Sequence, residues 1–393
     1  MRQSQGLLRA AALAGALLAP ALAAAQSAPG VTADTLRIGS FGALTGPGYL
    51  YGRLVMNGVE AVFDQVNARG GVHGRRLVLV REDDRCEPGA AIAATRKLIH
   101  QEQVFALIGG GCSNATIAAR AEIEQSGIPF LVFASVHDGI TMPRARNIFS
   151  TALTSTIESQ AQLAYALEQG ARRIAVVSMR DAWGRARYQP LMEEFRRRGV
   201  SPVADEEITP DANDATPQVL RLRQANADAV IMLLYPKPGA VFLRDAARFG
   251  YRPLAIGQSG IADPAAFEEQ VGVPGATARF VTISMVRYTP DMPEVAPWRD
   301  AIQAKYPGDR LSVFNLFGVG AAQVLVEALR RAGPEPTRER LIEALNGIRD
   351  FPTDAFGGGI TCTPEDGRCN KTVVWIQKEP GGPIRVIGTT TVR

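Results

Sequence analysis

Apolar residues in this chain come in two alternating textures. Short apolar-rich runs, at 36–41, 77–82, 104–108 and 129–133, are separated by longer stretches, at 55–67, 90–101 and 115–125, where apolar positions recur every three or four residues. The first texture predicts strands buried on both faces, the second amphipathic helices. The rhythm restarts after Phe149, with helices over 157–169, 184–198, 216–224 and 239–249 and strands over 173–178, 203–208, 229–234 and 254–257. Such alternation builds parallel sheets with right-handed crossovers. Two units, each too large to share one core, predict a pair of Rossmann-like α/β lobes. A strand at 280–285 should lead back toward the first unit, followed by helices at 295–305, 312–332 and 338–347. The tail, 372–376 with 384–386, reads as a hairpin.

The first residues follow a different logic. Arg2 and Arg9 precede a short apolar stretch over 10–19, Pro20 breaks it, and Ala23-Ala24-Ala25 supplies the small residues of a cleavage site before Gln26. This is the pattern of a signal peptide over 1–25. It is too short to span a bilayer, no lipobox cysteine follows, and no later segment is expected to span. Export to the periplasm is the expectation. Export also changes the charge: without the leader's two arginines, 41 basic residues face 39 acidic ones, a net of +2. Nothing then suggests a nucleic-acid face. The clusters Arg196-Arg197-Arg198 and Arg330-Arg331 fall at helix C-termini, where cations complement the helix dipole.

An exported chain with four cysteines is expected to oxidise them. Cys86 follows one predicted strand and Cys112 the next, which puts both on one sheet edge within reach of each other. Cys362 and Cys369 bracket a turn-rich segment suited to a small closed loop. Of the three possible pairings, these two local ones are favoured. A metal site fits poorly: the spacing is wrong and there are only three histidines.

Ser113 stands directly before a predicted helix. It can cap that helix, and the same geometry, a helix N-terminus with exposed N–H groups, binds a carboxylate or phosphate. Gly46-Pro47-Gly48-Tyr49-Leu50-Tyr51-Gly52 follows the first strand, but its third glycine is one residue late for a dinucleotide loop and it carries a proline. Its tyrosines suit the wall of an organic-ligand cleft, as do Trp183 and Tyr235 at strand ends of the second unit. No nucleophile, base or metalloprotease motif is present, and His137 is the one histidine near the expected cleft. Neither catalysis nor a cofactor is expected.

Residues 38–52, 67–74 and 109–113 and the Asp83-Asp84-Arg85-Cys86-Glu87-Pro88 run together resemble the leucine/isoleucine/valine-binding proteins of bacterial ABC importers. The resemblance covers nearly all of the mature chain. It implies the type I periplasmic binding fold: lobes 31–152 plus 285–352 and 153–284 plus 353–393, three crossing segments, and a solute trapped between the lobes for delivery by a monomer to an inner-membrane permease. It also implies that Ser113 and the main chain of Ala134, Ser135 and Val136 hold a solute carboxylate, with Tyr51, Trp183 and Tyr235 around its body. Where that family presents acids to an α-ammonium, this chain aligns Ser155 and Ser259. A buried ammonium without a carboxylate partner is costly, so the expected solute is an organic acid without the amine, possible rescue resting on Glu158 or Asp263. A periplasmic sensor subunit, a branched-chain amino acid binder with a rearranged ammonium site, and an exported enzyme are the competing readings.

Overall fold

The computed structural model describes residues 28–309, 311–379 and 382–392; the leader expected from the sequence over 1–25 lies outside them. The first unit runs β1 (Thr35–Gly42), α1 (Arg53–Ala68), β2 (Arg76–Asp83), α2 (Pro88–Arg96), β3 (Ala106–Gly109), α3 (Ser113–Ser126), β4 (Phe130–Val132) and β5 (Ile148–Ser150). Its five strands are all parallel, in the order β2-β1-β3-β4-β5. The second unit runs α4 (Ser155–Glu168), β6 (Ile174–Met179), α5 (Ala182–Arg197), β7 (Asp205–Ile208), α6 (Thr216–Gln224), β8 (Ala229–Leu233), α7 (Pro236–Arg248), β9 (Leu254–Ile256), α8 (Pro264–Val271) and β10 (Phe280–Ser284).

Its parallel part has the order β7-β6-β8-β9-β10, the same winding as the first sheet. The two-lobe α/β architecture expected from the sequence is therefore present. Helices α9 (Ala296–Lys305), α10 (Val313–Ala332) and α11 (Arg338–Asn346) follow β10, and α9 and α10 pack against α1. The tail returns to the second sheet as an antiparallel hairpin of β11 (Thr372–Lys378) and β12 (Ile384–Thr391), β11 pairing with β10. Each sheet order reverses beside its first strand, and ligands of such sheets bind outside the strand C-terminal ends at that reversal. The reversals bring together the loops after β1 and β3 in one lobe, and after β6 and β8 in the other.

Two expectations need correction. The lobes do not have fully separate cores: apolar side chains form one continuous cluster from α1 and α10 through Phe149, Leu153, Met285 and Phe356 into α4 and the second sheet. Ala152, Leu153, Met285, Val286 and Phe356, on the segments that run between the sheets, join the inner layers, while the outer layer of each lobe keeps its own cluster. Secondly, α10 is by length and composition long and apolar enough to cross a membrane. It is a core helix, buried over most of its length, and a capping box of Ser312 and Asn315 fixes its start. At Gly58 of α1 and Gly318 of α10 an added Cβ would collide with a carbonyl oxygen of the facing helix, so the two helices touch backbone to backbone.

Both expected disulfides are formed, Cys86–Cys112 with Cα atoms 5.2 Å apart and Cys362–Cys369 with 4.4 Å. The second closes a loop beside the first crossing. Ser150 N–H donates to the Gly367 carbonyl at 2.7 Å, and Cys369 N–H to the Ser150 carbonyl at 2.8 Å.

Candidate functional site

The Asp83-Asp84 pair builds the first wall. Arg85 and Cys86 occupy the left-handed region (φ 50° and 59°), which L-residues enter at a cost. Asp83 Oδ1 accepts from Arg85 N–H at 3.0 Å and Asp84 Oδ1 from Cys86 N–H at 2.8 Å, so the two carboxylates hold the turn. Asp83 also accepts from Leu44 N–H and the Thr45 hydroxyl, at 2.8 and 2.6 Å, tying the loop after β1 to the loop after β2. Burial works to raise the Asp83 carboxyl, but these bonds hold it below the ordinary value; burial dominates at Asp84 and pushes it up to about 6. Gly48 lies on the disulfide, since a Cβ there would collide with Cys86 Sγ. The glycine loop therefore rests on the Cys86–Cys112 bond and carries Tyr51 at a fixed height.

Tyr51 is packed edge-on against Phe314 of α10, ring centroids 5.2 Å apart, and its hydroxyl donates to the Gly260 carbonyl of the other lobe at 3.3 Å. Burial pushes that hydroxyl up to about 12, against the opposing pull of the Arg187 charge. The lobes therefore meet on the cleft side, and α3 and α5 approach each other there.

On the second lobe the Trp183 and Tyr235 rings pack with centroids 4.4 Å apart, tilted by 30°. The Tyr235 hydroxyl donates to Asp181 at 3.1 Å, and its pKa is raised by burial and by that carboxylate. Asp181 also caps α5 by accepting from Gly184 N–H at 2.7 Å. The Arg187 guanidinium lies 4.6 Å over the Trp183 ring. Arg187 and Glu158 are both buried, 3% and 1% exposed, and ion-paired, with the Ser259 hydroxyl donating to the other Glu158 oxygen. These contacts link Tyr51, Gly260, Ser259, Glu158, Arg187, Trp183, Tyr235 and Asp181 into one connected group.

The serines expected to meet a solute are placed variously. Ser113 is the first residue of α3, with Cys112 in the cap position, and its hydroxyl accepts from Val136 N–H at 3.3 Å instead of capping the helix. The Ser135 hydroxyl is turned into the lobe, bonded to the Gly110 carbonyl and Thr116 Oγ1 at 2.8 and 2.7 Å. Ser155 donates to the Val136 carbonyl at 3.1 Å, across the first crossing. Ala134 is half-buried beside them. Asp263 caps α8, accepting from Ala266 N–H at 3.0 Å, and among the described residues no hydrogen bond joins it to Glu158. His137 accepts from Gly139 N–H at 2.9 Å.

Arg187, Asp181 and Phe314 escape the sequence reading. A signal for Arg187 was present, because it lies four residues after Trp183 and so shares its helix face. Among the described residues no cluster of His, Cys, Asp and Glu could hold a metal ion. Two surface cavities, of about 440 and 360 Å³, lie elsewhere, one beside Asp205, Glu206 and Glu207 and the other beside Asp263 and Arg299.

A family model described as periplasmic binding protein matches residues 35–382. The chain is 27% identical over 274 residues to the Leu/Ile/Val/Thr-binding protein of Salmonella typhimurium, covering 70% of this chain and 74% of that one. It is 25% identical over 328 residues to the Leu/Ile/Val-binding protein BraC3 of Rhizobium johnstonii, covering 83% and 87%. An ABC transporter substrate-binding protein from Sphaerobacter thermophilus superposes with a TM-score of 0.79 at 25% identity, covering 91% and 98%. This chain belongs to the periplasmic binding protein family, the solute-binding receptors of ABC transporters, and is not an enzyme.

Proposed function

We propose that the protein is a periplasmic receptor that captures an organic acid lacking an α-ammonium group and delivers it, as a monomer, to an inner-membrane ABC permease. The lobes close by bending at three crossings, near Ser150–Ser155, near Ser284 and along the stretch after Phe351. The observation that carries the reading is the state of Glu158. It and Asp181 are the two acids of the connected group, and both oxygens of each are already engaged, those of Glu158 by Arg187 and Ser259, those of Asp181 by Gly184 N–H and the Tyr235 hydroxyl. An ammonium entering beside Glu158 would meet a positive charge already in place. On the other wall Ser113 and the N-terminus of α3 favour an anion, and Tyr51, Trp183 and Tyr235 favour an apolar or aromatic body.

The relatives named for leucine, isoleucine and valine support a second reading. In it Glu158 leaves Arg187 to take an ammonium, and the solute is a branched-chain amino acid. Titration calorimetry of leucine, isoleucine and valine beside their deaminated 2-oxo acids and simple aromatic acids separates the two. Tight binding of the acids with no response to the amino acids is expected, and the reverse would contradict the proposal. Ser113→Ala should remove a charge-assisted hydrogen bond and weaken acid binding by about 1.5–3 kcal/mol, roughly tenfold to a hundredfold. An unchanged affinity would take Ser113 out of the site.

A further inference from the structure

We propose that Arg187 is the second lobe's solute-binding residue, taking a carboxylate of the solute through Nε and Nη2; this rests on the acid reading above. Arg187 is 3% exposed, and of its three nitrogens only Nη1 has a protein partner among the described residues, Glu158. Its Nε is buried with no hydrogen-bond partner among them. Buried unpaired donors are rare in native proteins, and each one calls for a partner.

Nη1 is spent on the Glu158 side of the guanidinium. Nε and Nη2 form the other edge, and their parallel N–H pair matches the two oxygens of a carboxylate. The position is also right. Arg187 lies over Trp183, one wall of the cleft, and α5 approaches α3, whose first residue is Ser113. Glu158 balances the arginine's charge, and Trp183 and the Glu158 bond fix the plane of the fork before any solute arrives. An acid would then be met from both lobes, which couples its binding to closure. A zwitterion gains less, since its ammonium is repelled by the same guanidinium.

The probes are 4-methyl-2-oxopentanoate, its methyl ester and leucine, titrated against the full mature chain. Arg187→Lys keeps the charge beside Glu158 but loses the fork. Should the single variant fold poorly, Glu158→Gln combined with Arg187→Gln keeps a neutral hydrogen-bonding pair. In either variant acid affinity should fall about tenfold to a hundredfold, and the preference for the acid over its ester should fall at least tenfold. A merely structural role would weaken acid and ester alike. Acid binding by the native chain with an unchanged acid-to-ester ratio in both variants would overturn the role of Arg187 and leave the acid reading standing. Binding of leucine and not of the acid by the native chain would overturn the acid reading itself, and this inference with it.

Discussion

Glu158→Ala is expected to destabilise the protein by about 3–5 kcal/mol, the usual cost of removing one partner of a buried ion pair. The pair is buried on both sides, so little solvent screens the guanidinium that the substitution would strand. Ser259 would lose its acceptor as well. Urea unfolding of the unliganded protein measures the effect as a lower midpoint at unchanged slope. Replacing both partners by apolar residues of similar volume, Glu158→Leu with Arg187→Met, should recover most of the loss, because no charge is then left buried. A cost below about 1 kcal/mol for the single variant, the range of an exposed pair, would mean that water reaches Arg187.

The second large effect is expected in the first lobe. Gly318→Ala places a Cβ on the Val55 carbonyl oxygen, and Gly58→Ala places one on the Asn315 carbonyl oxygen. In each case the obstacle is backbone, which cannot swing aside as a flexible side chain would. The helices must separate, and overpacking of this kind costs about 1–3 kcal/mol. The consequence is also positional: α10 carries Phe314, on which Tyr51 rests, so a displaced α10 should weaken solute binding besides lowering the unfolding midpoint. Because the two glycines share one contact, the double variant should cost less than the sum of the singles. Strict additivity would show that the helices do not move as a pair.

The parts of the fold legible in the sequence were those with strong periodicity. Continuous apolar runs at 104–108 and 229–234 could only be buried strands between helices, and the repeated rhythm gave two sheets. What escaped was short or ambiguous. β5 has three residues, too few to show a period. α8 has eight, too few for a clear period, and its one signal is the helix start Asp263-Pro264. α10 is apolar nearly all round because it is covered by α1, the first sheet and α11, a fact about packing that composition cannot distinguish from a membrane span.

The site divides along the same line. Cysteine placement on one sheet edge pointed to the disulfide under the glycine loop, and the strand-end aromatics Trp183 and Tyr235 do lie against each other. Glu158 was visible only as a possible rescuer of a missing charge, since its pairing depends on a residue 29 positions away. Arg187 sits in a helix so rich in charge that every arginine on it reads as solvated. Burial of one face of that helix against α4 is a tertiary fact, and it changes which arginine matters.

The claim that this receptor captures an acid without an ammonium group is tested most directly by what the protein carries. Native mass spectrometry of the mature chain, purified from its own periplasm without denaturation, should show a one-to-one complex that releases an organic acid free of amine nitrogen on activation. Release of leucine, isoleucine or valine in that stoichiometry would contradict the account.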